Sequence, residues 1–183
     1  MDMLKIVKDT NPKLRRKCEP VETPLDDENE AIALSLLSYL KDSQDPEFLQ
    51  KHPKVRSGVG LAAPQVGVSR RMIAVYFEDE DGKEVCHVLA NPKILSSSVR
   101  QCYLAGGEGC LSVDVPHQGN VYRPYKITVS AYDVMSKKDV KLVARGYEAI
   151  VLQHEMDHLD GILFYDHIDH PDKSIDVDDA IRI

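Results

Sequence analysis

Along the chain, the apolar positions change period three times, and each change predicts an element. Ile32, Leu36 and Leu40, with Leu37 beside them, fall on one stripe of a helix, and acidic residues crowd its first turn. This spacing predicts a helix over residues 26–42. Residues 45–57 are polar and carry Pro46 and Pro53, which reads as a surface excursion, and Gly58 then opens a tight loop of small residues through Gly67. Residues 71–77, 84–90, 127–132 and 139–144 read as strands, separated by turn signals such as Asp81-Gly82 and Ser136-Lys137-Lys138. An antiparallel sheet is therefore expected through the middle of the chain. From Tyr147 the pattern becomes Ala149, Ile150, Leu152, His154, Met156, His158 and Leu159, which fits a buried helix ending near Gly161. The Asp-rich stretch 170–183 reads as a loosely held tail. Sheets from the middle of the chain packed around one late helix make an α+β fold.

Bulk properties narrow the classes. At 183 residues the chain suffices for one domain with a real core, so residues 1–183 are expected to form a single unit. No apolar run approaches the ~20 residues that a membrane span needs. The N-terminus has no signal-peptide core, which makes a cytoplasmic location the expectation. A formal net charge of −7 gives no footprint for a nucleic-acid backbone. Cys18, Cys86, Cys102 and Cys110 form no C-x-x-C pair, so free thiols or a metal thiolate fit better than a disulfide framework.

The chemistry concentrates in His154-Glu155-Met156-Asp157-His158, an H-E-x-x-H pattern on the segment already read as helix. Residues four apart on a helix lie about 40° from alignment, so both imidazoles can reach one ion from one rigid element. Glu155 is turned about 100° from His154, at the rim of such a site, where it can take a proton from water and pass it to a leaving amine. The bland alternative is a pair of surface histidines on a charged helix. Two histidines also need a third ligand. In the extended zinc-peptidase pattern H-E-x-x-H-x-x-G-x-x-H, Gly161 occupies the glycine position, but Phe164 stands where the third histidine belongs and cannot ligate. Asp166, His167, Asp169 and His170 have the wrong spacing and read as solvating a terminal segment. Cys110, flanked by glycines in Ala105-Gly-Gly-Glu-Gly-Cys-Leu-Ser112, is the best thiolate candidate. A nucleophilic Cys110 paired with a histidine is its rival role. Cys86 and Cys102 read as small buried hydrophobes and Cys18 as an inert thiol.

Three motifs together resemble one family. Gly58-Val-Gly-Leu-Ala-Ala-Pro-Gln65, Glu108-Gly-Cys-Leu-Ser112 and Gln153-His-Glu-Met-Asp-His158 look like the signature motifs of peptide deformylase, in the family's order. Residues 7–21, with Asn11-Pro12 and Leu14-Arg15, look like its opening. The polar stretch before Gly58 and the insertion-like segment 113–122 resemble the longer, type 2 form of Gram-positive bacteria.

The resemblance implies the family's α+β fold, with its late metal-binding helix, and removal of the N-terminal formyl group from nascent bacterial polypeptides. It implies Cys110, His154 and His158 as ligands of one divalent ion, natively Fe²⁺, with Zn²⁺, Ni²⁺ or Co²⁺ able to take the site. It implies Glu155 as general acid/base, Gln65 and the Leu111 N–H as oxyanion donors, and Gly60 as a holder of the substrate main chain. Formylated nascent N-termini are the implied partners, and ribosome docking is compatible with that role. The substrate's methionine calls for an apolar pocket, for which Val59, Tyr147, Ile150 and Val151 are candidate walls, although each also suits an ordinary core. Charge complementarity suggests that Glu108 and Arg123 pair in support of the Cys110 loop. The alternatives are a small H-E-x-x-H zinc peptidase and a non-enzymatic module closed around a structural ion.

Overall fold

A computed structural model of the chain describes residues 4–168 and 177–183. The predicted first helix is α1 (Asp27–Gln44), capped by the Asp26 side chain, which accepts the Asn29 N–H. Within the surface excursion lies a short helix, α2 (Pro46–Lys51), with Pro46 in its first turn and Asp45 as its cap. Next come β1 (Gly60–Ala62), β2 (Met72–Glu78), β3 (Glu84–Ser97), β4 (Gln101–Tyr103) and β5 (Arg123–Pro124). The chain continues through β6 (Lys126–Asp133), β7 (Lys138–Arg145), α3 (Gly146–Leu159) and β8 (Ile181–Arg182). All four predicted strands are present within one or two residues, except that β3 runs on to Ser97. It does so through irregularities near Asn91 and Leu95 that keep it paired with β6.

Five strands form one antiparallel sheet in the order β1-β2-β3-β6-β7. Its two faces are both covered, which is why β2 reads as a continuous apolar run rather than an alternation. Ile73, Val75 and Phe77 point to the side of α3, where they join Leu152, Met156 and Leu159. Met72 and Ala74 point to the side of α1, against Leu36, Leu37 and Leu40. Leu36 and Leu40 are fully buried, each burial stabilising by about 1.5–3 kcal/mol, more than the helix's intrinsic propensity can supply.

In the smaller sheet, ordered β5-β4-β8, β4 and β5 are antiparallel while β4 and β8 run parallel. Parallel neighbours need a long connection, and β5, β6, β7 and α3 lie between these two strands. The expected loose tail falls partly outside the described residues, at 170–176. The described end is held in place, because the Ile183 N–H donates to the Tyr103 carbonyl and the Ala105 N–H to that of Ile183. Among the described residues, no helix is long and apolar enough to cross a membrane.

Candidate metal centre

Helix α3 is buried on nearly every side, so its polar residues must find partners inside the protein. Its end is set by Gly161, where a left-handed backbone (φ +74°) turns the chain away. A Cβ at that glycine would stand 2.5 Å from the Arg15 carbonyl oxygen, so the N-terminal segment and the end of α3 pack at a distance only glycine allows. This contact fixes the helix that carries His154 and His158.

Opposite α3 lies the loop carrying Cys110. One ligating atom from each of Cys110, His154 and His158 lies within 4.8 Å of the others, and all three residues are buried. Cys110 Sγ stands 3.3 Å from His158 Nε2. A thiol and two imidazoles are a donor set suited to zinc or ferrous iron, and the two facing histidines supply no carboxylate that would favour magnesium or calcium. The residues present therefore fit one transition-metal ion. The structure brings together this set without any of the downstream residues. Phe164, in the position where the longer peptidase pattern needs a histidine, instead stacks on the His154 ring at 6.0 Å between centroids. His167 and Asp166 do not solvate a tail as expected. His167 Nε2 lies 2.8 Å from Asp157 Oδ2, and Asp166 pairs with Arg15. Asp169 and His170 lie outside the described residues.

Behind these three residues runs a buried chain of charge. His154 Nδ1 meets Glu108 Oε2 at 2.7 Å, Arg123 Nε donates to Glu108 Oε1 at 2.6 Å, and Arg123 Nη1 donates to Asp157 Oδ2 at 2.8 Å. Burial alone would raise the Glu108 carboxyl, but Arg123 and His154 outweigh it and hold it at about 2. The ionised Glu108 thereby holds His154 so that its other nitrogen faces the cleft. The Glu108–Arg123 pair was legible from charge; Asp157 and His167 as its extension were not, because nothing in their spacing marks them.

Glu155 stands apart from this network. It is 4% exposed, and its Oε2 has no hydrogen-bond partner among the described residues. Burial pushes its carboxyl up to about 7, against the opposing pull of His154. Gly60 on β1 makes room for it, since a Cβ there would come within 2.2 Å of Glu155 Oε1. Gly60→Ala is therefore expected to fold and to lose turnover, by about tenfold or more, because Glu155 must swing away. Unchanged turnover with the alanine would show that Glu155 has slack.

Gln65 closes the site from the other side. Its Oε1 accepts the Ala62 N–H at 2.8 Å, which turns Nε2 inward to Cys110 Sγ at 3.4 Å and Ser112 Oγ at 3.1 Å. The Ser112 N–H also points at Sγ, at 3.4 Å. Ser112 was missed as a partner, although it closes the second motif. The cleft in front of these groups has a volume of about 290 Å³, near the lower end for ligand sites, and suits a chain end rather than a folded substrate. Val59, Gly60, Leu111, Tyr147, Ile150 and Val151 all line it. Arg56 and Leu104 also line it, and neither was anticipated.

Comparisons with known proteins agree with this geometry. The family described as "Polypeptide deformylase" matches residues 3–174. A peptide deformylase of Halalkalibacterium halodurans is 50% identical over 169 residues, covering 92% of each chain. Peptide deformylase 2 of Geobacillus stearothermophilus is 50% identical over 181 residues, covering 99% of this chain and 97% of its own. Among solved structures, the Met-ala-ser bound class I type b peptide deformylase of Acinetobacter baumannii matches with a TM-score of 0.72 at 30% identity, covering 91% of this chain and 99% of that one. With a family match across nearly the whole chain and relatives at half identity end to end, this protein belongs to the peptide deformylase family.

Proposed function

We propose that the protein is a metal-dependent hydrolase that removes the formyl group from the formyl-methionine of nascent polypeptides, releasing formate and a free amine. The observation that carries this reading is a buried, unpartnered Glu155 beside a Cys110–His154–His158 donor set, in a cleft open to a chain end. An ion held by those three residues would supply Lewis acidity and a water made nucleophilic near neutral pH. Fe²⁺ is the proposed native ion, with Zn²⁺, Ni²⁺ or Co²⁺ as substitutes, and a ferrous thiolate site would be inactivated by oxygen.

The protein's own groups do the rest. Gly60, on the edge strand β1, offers its backbone to the substrate main chain, and Val59, Tyr147, Ile150 and Val151 receive the methionine side chain. Glu155 accepts the proton of the attacking water and returns it to the leaving amine, a task for which a carboxyl held near 7 is suited. As the formyl carbon becomes tetrahedral, Gln65 Nε2 and the Leu111 N–H donate to its oxyanion. The A. baumannii relative was solved with Met-ala-ser, and the same tripeptide chemistry is proposed as this protein's product. The proposed setting is the cytoplasm, at the ribosome's output of formylated chains. A small zinc peptidase is not favoured, since Phe164 fills the position of its third ligand.

The decisive experiment incubates anaerobically purified protein with formyl-Met-Ala-Ser and measures formate. Release that a chelator abolishes supports the reading, whereas cleavage of internal amides with no formate would favour the peptidase. Cys110→Ala is expected to leave a folded protein that retains no stoichiometric metal, measured by elemental analysis. Full metal occupancy in that variant would remove Cys110 from the ligand set.

A further inference from the structure

Four consecutive carbonyls of the Cys110 loop are taken by donors from outside the three motifs. Arg56 donates through Nη2 to the Cys110 carbonyl at 3.0 Å and through Nη1 to that of Val113 at 3.0 Å. Lys8 Nζ donates to the Leu111 carbonyl at 3.0 Å, and the Asp9 N–H to that of Ser112 at 2.9 Å. The two cations converge on one carboxylate, with Asp114 Oδ1 at 2.7 Å from Lys8 and 3.1 Å from Arg56.

In a trans peptide the carbonyl and the next N–H point in opposite directions. The Cys110 carbonyl, which accepts from Arg56 and also from the Val113 N–H at 3.2 Å, therefore sets the direction of the Leu111 N–H, for which no acceptor is found among the described residues. The bond from Lys8 to the Leu111 carbonyl likewise sets that of the Ser112 N–H, which points at Cys110 Sγ. A charged donor on a carbonyl also polarises the amide it belongs to, because linked hydrogen bonds strengthen one another by roughly 10–30%.

We propose that Arg56 and Lys8, tied together by Asp114, are positioning residues: Arg56 aims and polarises the Leu111 N–H toward the reacting formyl group, and Lys8 aims the Ser112 N–H at Cys110 Sγ. This rests on the reading above in which the Leu111 N–H stabilises the oxyanion. Arg56 spans two carbonyls with its fork, which a lysine at that position does not reproduce.

The test uses the full, zinc-loaded chain and the variants Arg56→Gln, Arg56→Lys and Lys8→Met, with formyl-Met-Ala-Ser kinetics, Met-Ala-Ser affinity and amide ¹⁵N shifts. For Arg56→Gln, kcat should fall about 5–30-fold, a fraction of the ~10²–10³ carried by a whole oxyanion donor, with KM and tripeptide affinity within about twofold. The Leu111 amide resonance should move upfield, with a smaller loss in Arg56→Lys. In Lys8→Met, Ser112 should move more than Leu111. A raised KM with kcat intact would make Arg56 a substrate contact and overturn the proposal, as would lost turnover with an unmoved Leu111 resonance. Should Arg56→Gln fail to fold, Asp114→Asn loosens both cations without removing either, and an unmoved Leu111 there is equally fatal. If the wild-type protein releases no formate, the functional reading falls by itself, and the Leu111 resonance still decides whether the clamp acts on that amide.

Discussion

Glu155→Gln is expected to give a folded, metal-loaded protein whose kcat falls by about 10²–10⁴, the usual contribution of a positioned acid/base. Glutamine keeps the size and the burial, and it sits equally well beneath Gly60. What it loses is the proton. The wild-type carboxyl, buried with one oxygen unpartnered, is held at about 7, close to the pH at which the proposed role has it both accept and release. Because this role is exercised only as bonds change, KM for formyl-Met-Ala-Ser should stay within a few fold. Elemental analysis of the purified variant is the necessary companion measurement. A variant that has lost its ion would make Glu155 a ligand, and one that turns over normally would remove it from the chemistry.

Gln65→Glu should be at least as damaging as Gln65→Ala, with a fall of about 10²–10³ or more in kcat and little change in KM. The geometry sharpens this expectation. Since the Ala62 N–H requires an acceptor, the amide oxygen of Gln65 is committed to it and the amide nitrogen must face Cys110 and Ser112. A glutamate satisfies Ala62 with one oxygen and turns the other on Cys110 Sγ and, in the proposed mechanism, on the forming oxyanion. The donor is lost and a like charge takes its place. Near wild-type kcat in a folded, metal-loaded Gln65→Glu enzyme would leave the Leu111 N–H as the protein's only proposed oxyanion donor.

Much of the architecture was legible because it depends on local spacing. The stripe of Ile32, Leu36 and Leu40 marked α1, and four apolar runs marked β2, β3, β6 and β7 within a residue or two, apart from the long end of β3. The short elements β1, β4, β5 and β8 were not legible. Strands of two or three residues carry no period, and they exist only because a neighbour supplies the ladder. The same holds for the C-terminal end, whose Asp-rich composition suggested a loose tail while Ile181–Arg182 pairs with β4.

At the site, the chain's covalent order alone determined what lies within one helix: His154 and His158 on a common face, with Glu155 at its rim, follow from 3.6 residues per turn. Flanking glycines and the need for a third ligand pointed to Cys110, and resemblance to Gln65, but no local rule relates positions 65, 110 and 154. Their meeting, the buried chain from Glu108 through Arg123 to Asp157 and His167, and the grip of Lys8 and Arg56 on the Cys110 loop were decided by packing. The physical reason is that a helix fixes directions over a few residues by its own hydrogen bonds, whereas contacts across tens of residues exist only once α1 and α3 have closed on the two faces of the sheet.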